Sequence, residues 1–181
     1  SFGRQTWDLR SANWNVTTYD QSLRWYVFTG PNLKDLRSDY LELTGRPPVP
    51  PKKFFGLWVS EYGFDNWAEM EGKLASLRAN KFPIDGFVLD LQWFGGIEPT
   101  STSQMGSLAW DTTKFPNPAA KIAALESNDG IGIIPIEEAY VASQLSTYTA
   151  MSTKGYLVTN GQGGAPVNVG GWWASSGSMV D

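Results

Sequence analysis

The chain has 181 residues, 41% hydrophobic and 18% charged, with a net charge of −4, a globular composition too acidic and too evenly charged to suggest nucleic acid as a partner. It contains no histidine and no cysteine, which excludes Ser-His-Asp or Cys-His chemistry, His or Cys metal sites and a disulfide framework within these residues. No apolar run approaches the ~18 residues that would span a membrane, so acid–base work here falls to Asp, Glu, Tyr or Lys in a chain that predicts no membrane contact and no cofactor.

Residues 1 to about 30 read as short strands and turns. Asn13 to Tyr19 alternates, Asp20-Gln21-Ser22 is a predicted turn and Leu23 to Phe28 is strand-like. Ser1 to Arg10 lacks the apolar core of a signal peptide and starts abruptly, as though cut from a longer chain. Secretion is therefore left open, with a secreted or periplasmic whole protein one possibility. Gly30-Pro31-Asn32 punctuates, and Leu33, Leu36, Tyr40 and Leu43 then recur on one helical face, with Asn32 as predicted N-cap. Gly45 ends that helix, and Pro47 to Pro51 makes a stiff connector.

From Phe54 onward the pattern becomes strand–helix alternation. A first strand is expected over Phe54–Ser60, running into Trp58, Glu61 and Tyr62, followed by a helix bearing Trp67, Met70, Leu74 and Leu77 on one face. Asn66 and Glu69 suggest a capping-box-like start. The second strand, Ile84 to Gln92, is the most informative stretch. It is apolar enough to be covered on both faces, and Asp90, Gln92, Trp93 and Phe94 stand at its end. A loop of about 24 residues follows, longer than compact domains normally keep without a use for it. A third helix is expected over Ala119–Asn128 after Asn117 and Pro118, then a third strand, Ile131–Ile136, ending in Glu137-Glu138. A weaker helix covers about Ser143–Thr153, and Tyr156–Asp181, rich in glycine, reads as a long loop or hairpin.

Three βα units in series predict a parallel sheet, doubly wound or part of a barrel. In either case ligands meet the carboxyl ends of the strands. Asp90 stands out there, because an unpaired acid inside an apolar run is costly unless it has a task. Glu138 and Glu61 are weaker candidates, since such acids often cap a helix or pair with a neighbouring Lys or Arg. Side chains alternate along a strand, so one of Glu137 and Glu138 faces in and the other out, while Asp90 and Gln92 share a face. Asp85, at the other end of the second strand, reads as structural. Trp58, Tyr62, Trp93 and Phe94 are split between core packing and lining a site for flat ring ligands such as sugars.

These stretches resemble a known family. Gly56-Leu57-Trp58-Val59-Ser60 with Tyr62-Gly63-Phe64 is similar to the first barrel strand of glycoside hydrolase family 31. Phe82-Pro83-Ile84-Asp85 with Leu89 to Phe94 is similar to its second, and Trp110-Asp111 with Lys114-Phe115-Pro116 to the stretch after it. Phe28 to Pro31 and Tyr40 to Gly45 resemble the run from the β-sandwich domain into the barrel. Members are retaining α-glycosidases, α-transglycosylases and a few α-glucan lyases. The resemblance implies that Asp90 is the aspartate holding sugar hydroxyls around the attacked ring. It matches Glu138 to the acidic position after the third strand, where Ala139 replaces the usual Pro. Asp90-Leu91-Gln92-Trp93 departs from the Asp-Ile-Asp-Tyr of typical α-glucosidases and fits the α-glucosyltransferase branch better. The family's nucleophile follows the fourth strand and its acid/base lies later, so neither is expected among these residues.

The expectation is an α/β fold: a partial (β/α)8 TIM barrel of three βα units over 54–181, a connecting helix and Pro-rich linker over 31–53, and the end of a β-sandwich domain over 1–30. The resemblance implies part of a retaining α-glycosidase or α-glucosyltransferase acting on α-linked gluco-oligosaccharides, with the remainder of the parent polypeptide as partner. Substrate-binding residues would be Asp90, Trp93, Glu138, Trp58, Tyr62 and Gln92. Two alternatives stand beside it, a non-catalytic carbohydrate-binding or scaffold segment and a doubly wound domain of unrelated function.

Overall fold

The computed structural model describes residues 5–19, 24–160 and 164–181, which fall into two compact units, Ser1–Pro50 and Pro51–Asp181. In the first unit, β1 (Gln5–Asp8) pairs antiparallel with β2 (Asn15–Thr18). No strand forms over the described part of Leu23–Phe28, and the predicted turn Asp20-Gln21-Ser22 lies outside the described residues. Among the described residues of this unit the strands form a two-stranded ribbon. Helix α1 (Leu33–Thr44) starts where expected, with the Asn32 side chain accepting from the amides of Lys34 and Asp35. None of its residues is buried, and Leu33, Tyr40 and Leu43 remain exposed.

The second unit carries the predicted alternation. A 3-10 turn over Lys52–Phe55 precedes β3 (Trp58–Glu61), so the strand begins four residues later than the apolar run suggests. Phe54 stacks on Trp58 with ring centroids 5.2 Å apart, and the Trp58 indole N–H donates to the Lys53 carbonyl at 2.9 Å. Those two contacts turn Phe54 back on the strand instead of extending it. Helix α2 (Trp67–Ala79) buries Trp67, Met70 and Leu74. Asn66 accepts from the Glu69 amide at 2.9 Å, while the Glu69 carboxylate reaches back to the amide of Asp65 instead of Asn66.

Strand β4 (Gly86–Leu89) is central, with β3 and β5 (Gly132–Pro135) parallel on either side. Helix α3 (Pro118–Asp129) lies between β4 and β5 in the chain and buries Leu125. Asn117 stands at its N-cap with Pro118 at the first helical position, but it sits in the left-handed region at φ +50 and makes no side-chain cap bond. Then β6 (Tyr140–Ala142) pairs antiparallel with β7 (Gly177–Met179), joined through α4 (Ser146–Lys154), so the C-terminal stretch closes a small ribbon that its glycines obscured.

The two faces of the three-stranded sheet differ. Phe87 and Leu89 point into a core with Phe64, Met70 and Leu125, and Phe64 meets Phe87 edge-to-face at 5.4 Å. The opposite face, carrying Trp58, Ser60, Val88 and Ile134, remains part-exposed. The sheet is open, not a closed barrel.

Candidate functional site at the carboxyl ends of the strands

Strand register separates the aromatic candidates. Trp58 is the first residue of β3 and stands level with Gly86 and Gly132, the first residues of β4 and β5. A Cβ on either glycine would strike the Trp58 ring, 2.6 Å from Cη2 in the case of Gly132. The ring therefore lies across both strands at their amino ends. At ~3.3 Å per residue it is about 13 Å from the level of Asp90. Trp58 is not brought together with the other candidates, because the turn over Lys52–Phe55 shifts the strand start and lowers it to the floor of the sheet. Asp85 confirms that end as structural, since its Oδ2 accepts from the Leu57 amide at 3.0 Å.

At the carboxyl ends, β4 stops at Leu89 and the chain winds into a 3-10 turn over Leu91–Phe94. Asp90 caps that turn, its Oδ1 accepting from the Leu91 amide at 2.8 Å. By strand alternation it lies on the part-exposed face with Gly86 and Val88. Its Oδ2 has no hydrogen bond among the described residues.

The turn undoes the expected pairing of Asp90 with Gln92, because alternation ends where helical winding begins. The Gln92 Oε1 is buried without a partner. Trp93 is 7% exposed, and its indole N–H donates to the Ile136 carbonyl at 2.7 Å. Its ring packs on Phe94 and Trp110, 5.4 and 5.0 Å between centroids. Trp93 is thus a core residue bracing the end of β4 against β5, and it offers no open ring face in this structure.

Tyr62 leaves β3 exposed, beside the turn at Gly63. Glu61 is paired with Lys73 of α2 at 3.2 Å, on the helix-covered side of the sheet. After β5 the two glutamates divide. Glu138 is exposed, whereas Glu137 is half-buried and its Oε1 accepts from the Gly106 amide at 2.9 Å. Burial raises the Glu137 carboxyl from its usual range to about 7, against the opposing pull of the Gly106 and Glu138 amides, with the Glu138 charge raising it further. Its Oε2 is buried without a partner. Alternation predicted that the pair would divide but gave no direction. The direction is set by Gly106, which lies in the loop after β4 and has no signature of its own. Among the described residues no acidic cluster is placed to hold a metal ion, and no helix is long and apolar enough to cross a membrane.

Asp90, Tyr62 and Glu138 thus stand at the carboxyl ends of adjacent strands with polar atoms uncommitted. This is where parallel α/β folds bind ligands, and the chemistry on offer is hydroxyl recognition by carboxylates. Known proteins share both the pattern and the fold. The α-xylosidase XylQ of Lactiplantibacillus pentosus is 28% identical over 169 residues, covering 91% of this chain and 21% of that protein. Alpha-glucosidase 2 of Bacillus thermoamyloliquefaciens is 31% identical over 135 residues, 74% of this chain and 16% of its own length. A family 31 dextranase of Flavobacterium johnsoniae, solved with glucose, superposes with a TM-score of 0.71 at 22% identity, covering 84% of this chain and 18% of that one. The chain therefore spans about a fifth of these relatives. The profile described as "Glycosyl hydrolases family 31 TIM-barrel domain" matches residues 47–181, most of the chain. By that match, joined to the parallel βα units it covers, the chain belongs to glycoside hydrolase family 31.

Proposed function

We propose that these residues are the first three βα units of the catalytic barrel of a retaining α-glycosidase or α-glucosyltransferase acting on α-linked gluco-oligosaccharides. Asp90 carries the reading. It is the one acid at the end of the central strand, on the face turned away from the helices, with a carboxylate oxygen uncommitted. In this role it holds hydroxyls of the ring under attack, with Tyr62 and Glu138 exposed at the exits of the flanking strands and Trp93 bracing its turn from within the core. The names of relatives support the substrate class: an α-glucosidase, an α-xylosidase and the 1,6-alpha-glucosyltransferase of Sporosarcina globispora.

The chemistry is double displacement. A carboxylate attacks the anomeric carbon to form a glycosyl-enzyme, and water or a sugar hydroxyl then displaces it. A second carboxyl serves as acid and then base, about 5 Å from the first. Neither role falls to a residue of this chain. Both catalytic aspartates belong to later strands of the whole protein, and Asp90 contributes substrate binding. Asp90→Ala in the whole protein should lower kcat/KM toward an α-glucoside by about 10² or more, the scale expected when a charged contact to the reacting ring is lost. Unchanged kinetics would remove Asp90 from the site. Saturable oligosaccharide binding without turnover by the whole protein would instead favour a non-catalytic carbohydrate-binding role.

A further inference from the structure

The loop from Gly95 to Asp111 leaves the Asp90 turn and returns to it. The Asp111 amide donates to the Trp93 carbonyl at 2.8 Å, and the Gln104 amide to Gly96 at 2.9 Å. Between those points the loop is pinned over β6. The Ala142 amide donates to the Met105 carbonyl at 3.0 Å, and the Gln144 side chain to the Ser103 carbonyl at 2.6 Å. Met105 is fully buried. Gly106 lies at φ +86, and a Cβ there would sit 2.8 Å from the Tyr140 carbonyl. The close approach of the loop to β6 is thus reserved for a bare backbone, and the side chain that accepts the Gly106 amide there is Glu137, from the segment between β5 and β6.

We infer that Glu137 is a positioning residue. Through Gly106 it fixes the loop 95–111 against the exit of β5, and so fixes the Leu91–Phe94 turn that aims Asp90. The inference rests on the α-glycosidase reading for its effect on turnover, but the clamp itself is a property of these residues. Two buried polar atoms without partners flank this point in the chain, Glu137 Oε2 and Gln92 Oε1. Gln92 and Glu137 each follow or precede a residue of the 2.7 Å bond between the Trp93 indole and the Ile136 carbonyl. In such surroundings a neutral carboxyl is tolerated and a charged one draws in water.

The groups that act on Glu137 are few. Glu138, next in the chain, repels its charge, and the amides of Gly106 and Glu138 favour it. Tyr140 of β6 is itself held neutral by burial, with Tyr148 of α4 adding to that effect. No cation is among the groups that act on Glu137. Raising pH through neutrality should ionise Glu137; the Gly106 amide favours the charge, but the carboxylate oxygen buried without a partner then draws in water, and that hydration loosens the loop.

The test uses the whole protein with Glu137→Gln and Glu137→Ala variants, an aryl α-glucoside as substrate, and amide exchange of residues 104–108 corrected for intrinsic rate. The glutamine keeps the acceptor for Gly106 and cannot ionise, whereas the alanine removes it. The wild type should show KM rising several-fold above pH 7 with kcat nearly constant, and faster exchange at Gly106 over the same range. Glu137→Gln should flatten both curves. Glu137→Ala should hold KM about tenfold high at every pH, the scale of one lost buried hydrogen bond. Should the alanine variant fail to fold, the glutamine arm decides alone. An alkaline limb retained in Glu137→Gln, or exchange at Gly106 indifferent to both variants, would overturn the inference. Absence of glycosidase activity would strike the functional reading only, because the exchange measurements test the clamp without turnover.

Discussion

The floor of the sheet offers the sharpest test of how this chain is built. Gly132→Ala adds one methyl group whose nearest neighbours are all atoms of one side chain: Trp58 Cη2 at 2.6 Å, Cζ3 at 3.3 Å and Cζ2 at 3.5 Å. Gly86→Ala meets the same ring but also the Gly132 carbonyl at 2.6 Å, which belongs to the strand pairing itself. Overpacking of this kind costs about 1–3 kcal/mol. Gly132→Ala should fall within that range, and Gly86→Ala at or above its top, because a ring can tilt while a carbonyl held in a sheet cannot. With a urea slope of about 2 kcal/mol/M the midpoint would drop by roughly 0.5–1.5 M. The decisive measurement is a double-mutant cycle with Trp58→Leu. Removing the ring should abolish most of the Gly132→Ala penalty and only part of the Gly86→Ala penalty. Equal penalties for Gly132→Ala in both backgrounds would refute the placement of Trp58 across the strand starts.

Other expectations follow from burial and pairing. Met70→Ala, at a fully buried position on α2, should cost about 2–5 kcal/mol in urea denaturation. Lys73→Ala breaks the ion pair with Glu61, but both side chains are nearly half exposed, so the change should stay below about 1 kcal/mol and shrink further in salt. Glu137 has a pH signature in stability as well as kinetics. Its carboxyl is raised to about 7 in the folded chain, so its contribution is fully present below the ordinary glutamate value and is lost as pH rises through 7. The denaturation midpoint should fall between pH 5 and 8, and Glu137→Gln should remove that slope.

Much of this was legible in residue order, and the failures have local causes. Helices α1 and α2 followed from Asn caps placed ahead of a 3.6-residue apolar repeat, and the parallel sheet followed from strands alternating with helices. The strand bounds did not follow. Phe54 and Phe55 look like strand residues, yet Pro51 and the Trp58 ring bend them into a turn. Asp90 was found because a lone acid in an apolar run is conspicuous. The orientations of Gln92 and Trp93 were not legible, because winding after Asp90 replaces alternation and sends Trp93 into the core. The β6–β7 ribbon stayed hidden because strands of three residues leave no period to read, and the glycines around them suggest loops. Glu137 and Glu138 cannot be separated by sequence, since the group that separates them, Gly106, is 31 residues upstream of Glu137.

The acids of the second unit show why Asp90 is the one to pursue. Glu61, Glu71, Glu126 and Asp129 each hold a cation, on Lys73, Lys121, Lys53 and Arg78. Asp85 is spent on the backbone at the start of the sheet, and Glu137 on Gly106. These bonds account for those six acids as structure. Asp90 is different: it is half-buried, so its charge is partly desolvated, yet it takes only the amide of the next residue. A carboxylate in that position gains little for folding, since a short polar cap would serve the same turn. Its second oxygen takes no hydrogen bond among the described residues, which is the observation behind the proposed sugar contact. The amino end of the sheet is closed by the Trp58 indole, and its carboxyl end carries this acid on the face without helices. Asp90→Asn keeps the cap and removes the charge, so it separates the two uses: folding stability should be unchanged while sugar affinity falls. An equal loss of both would make Asp90 a structural residue after all.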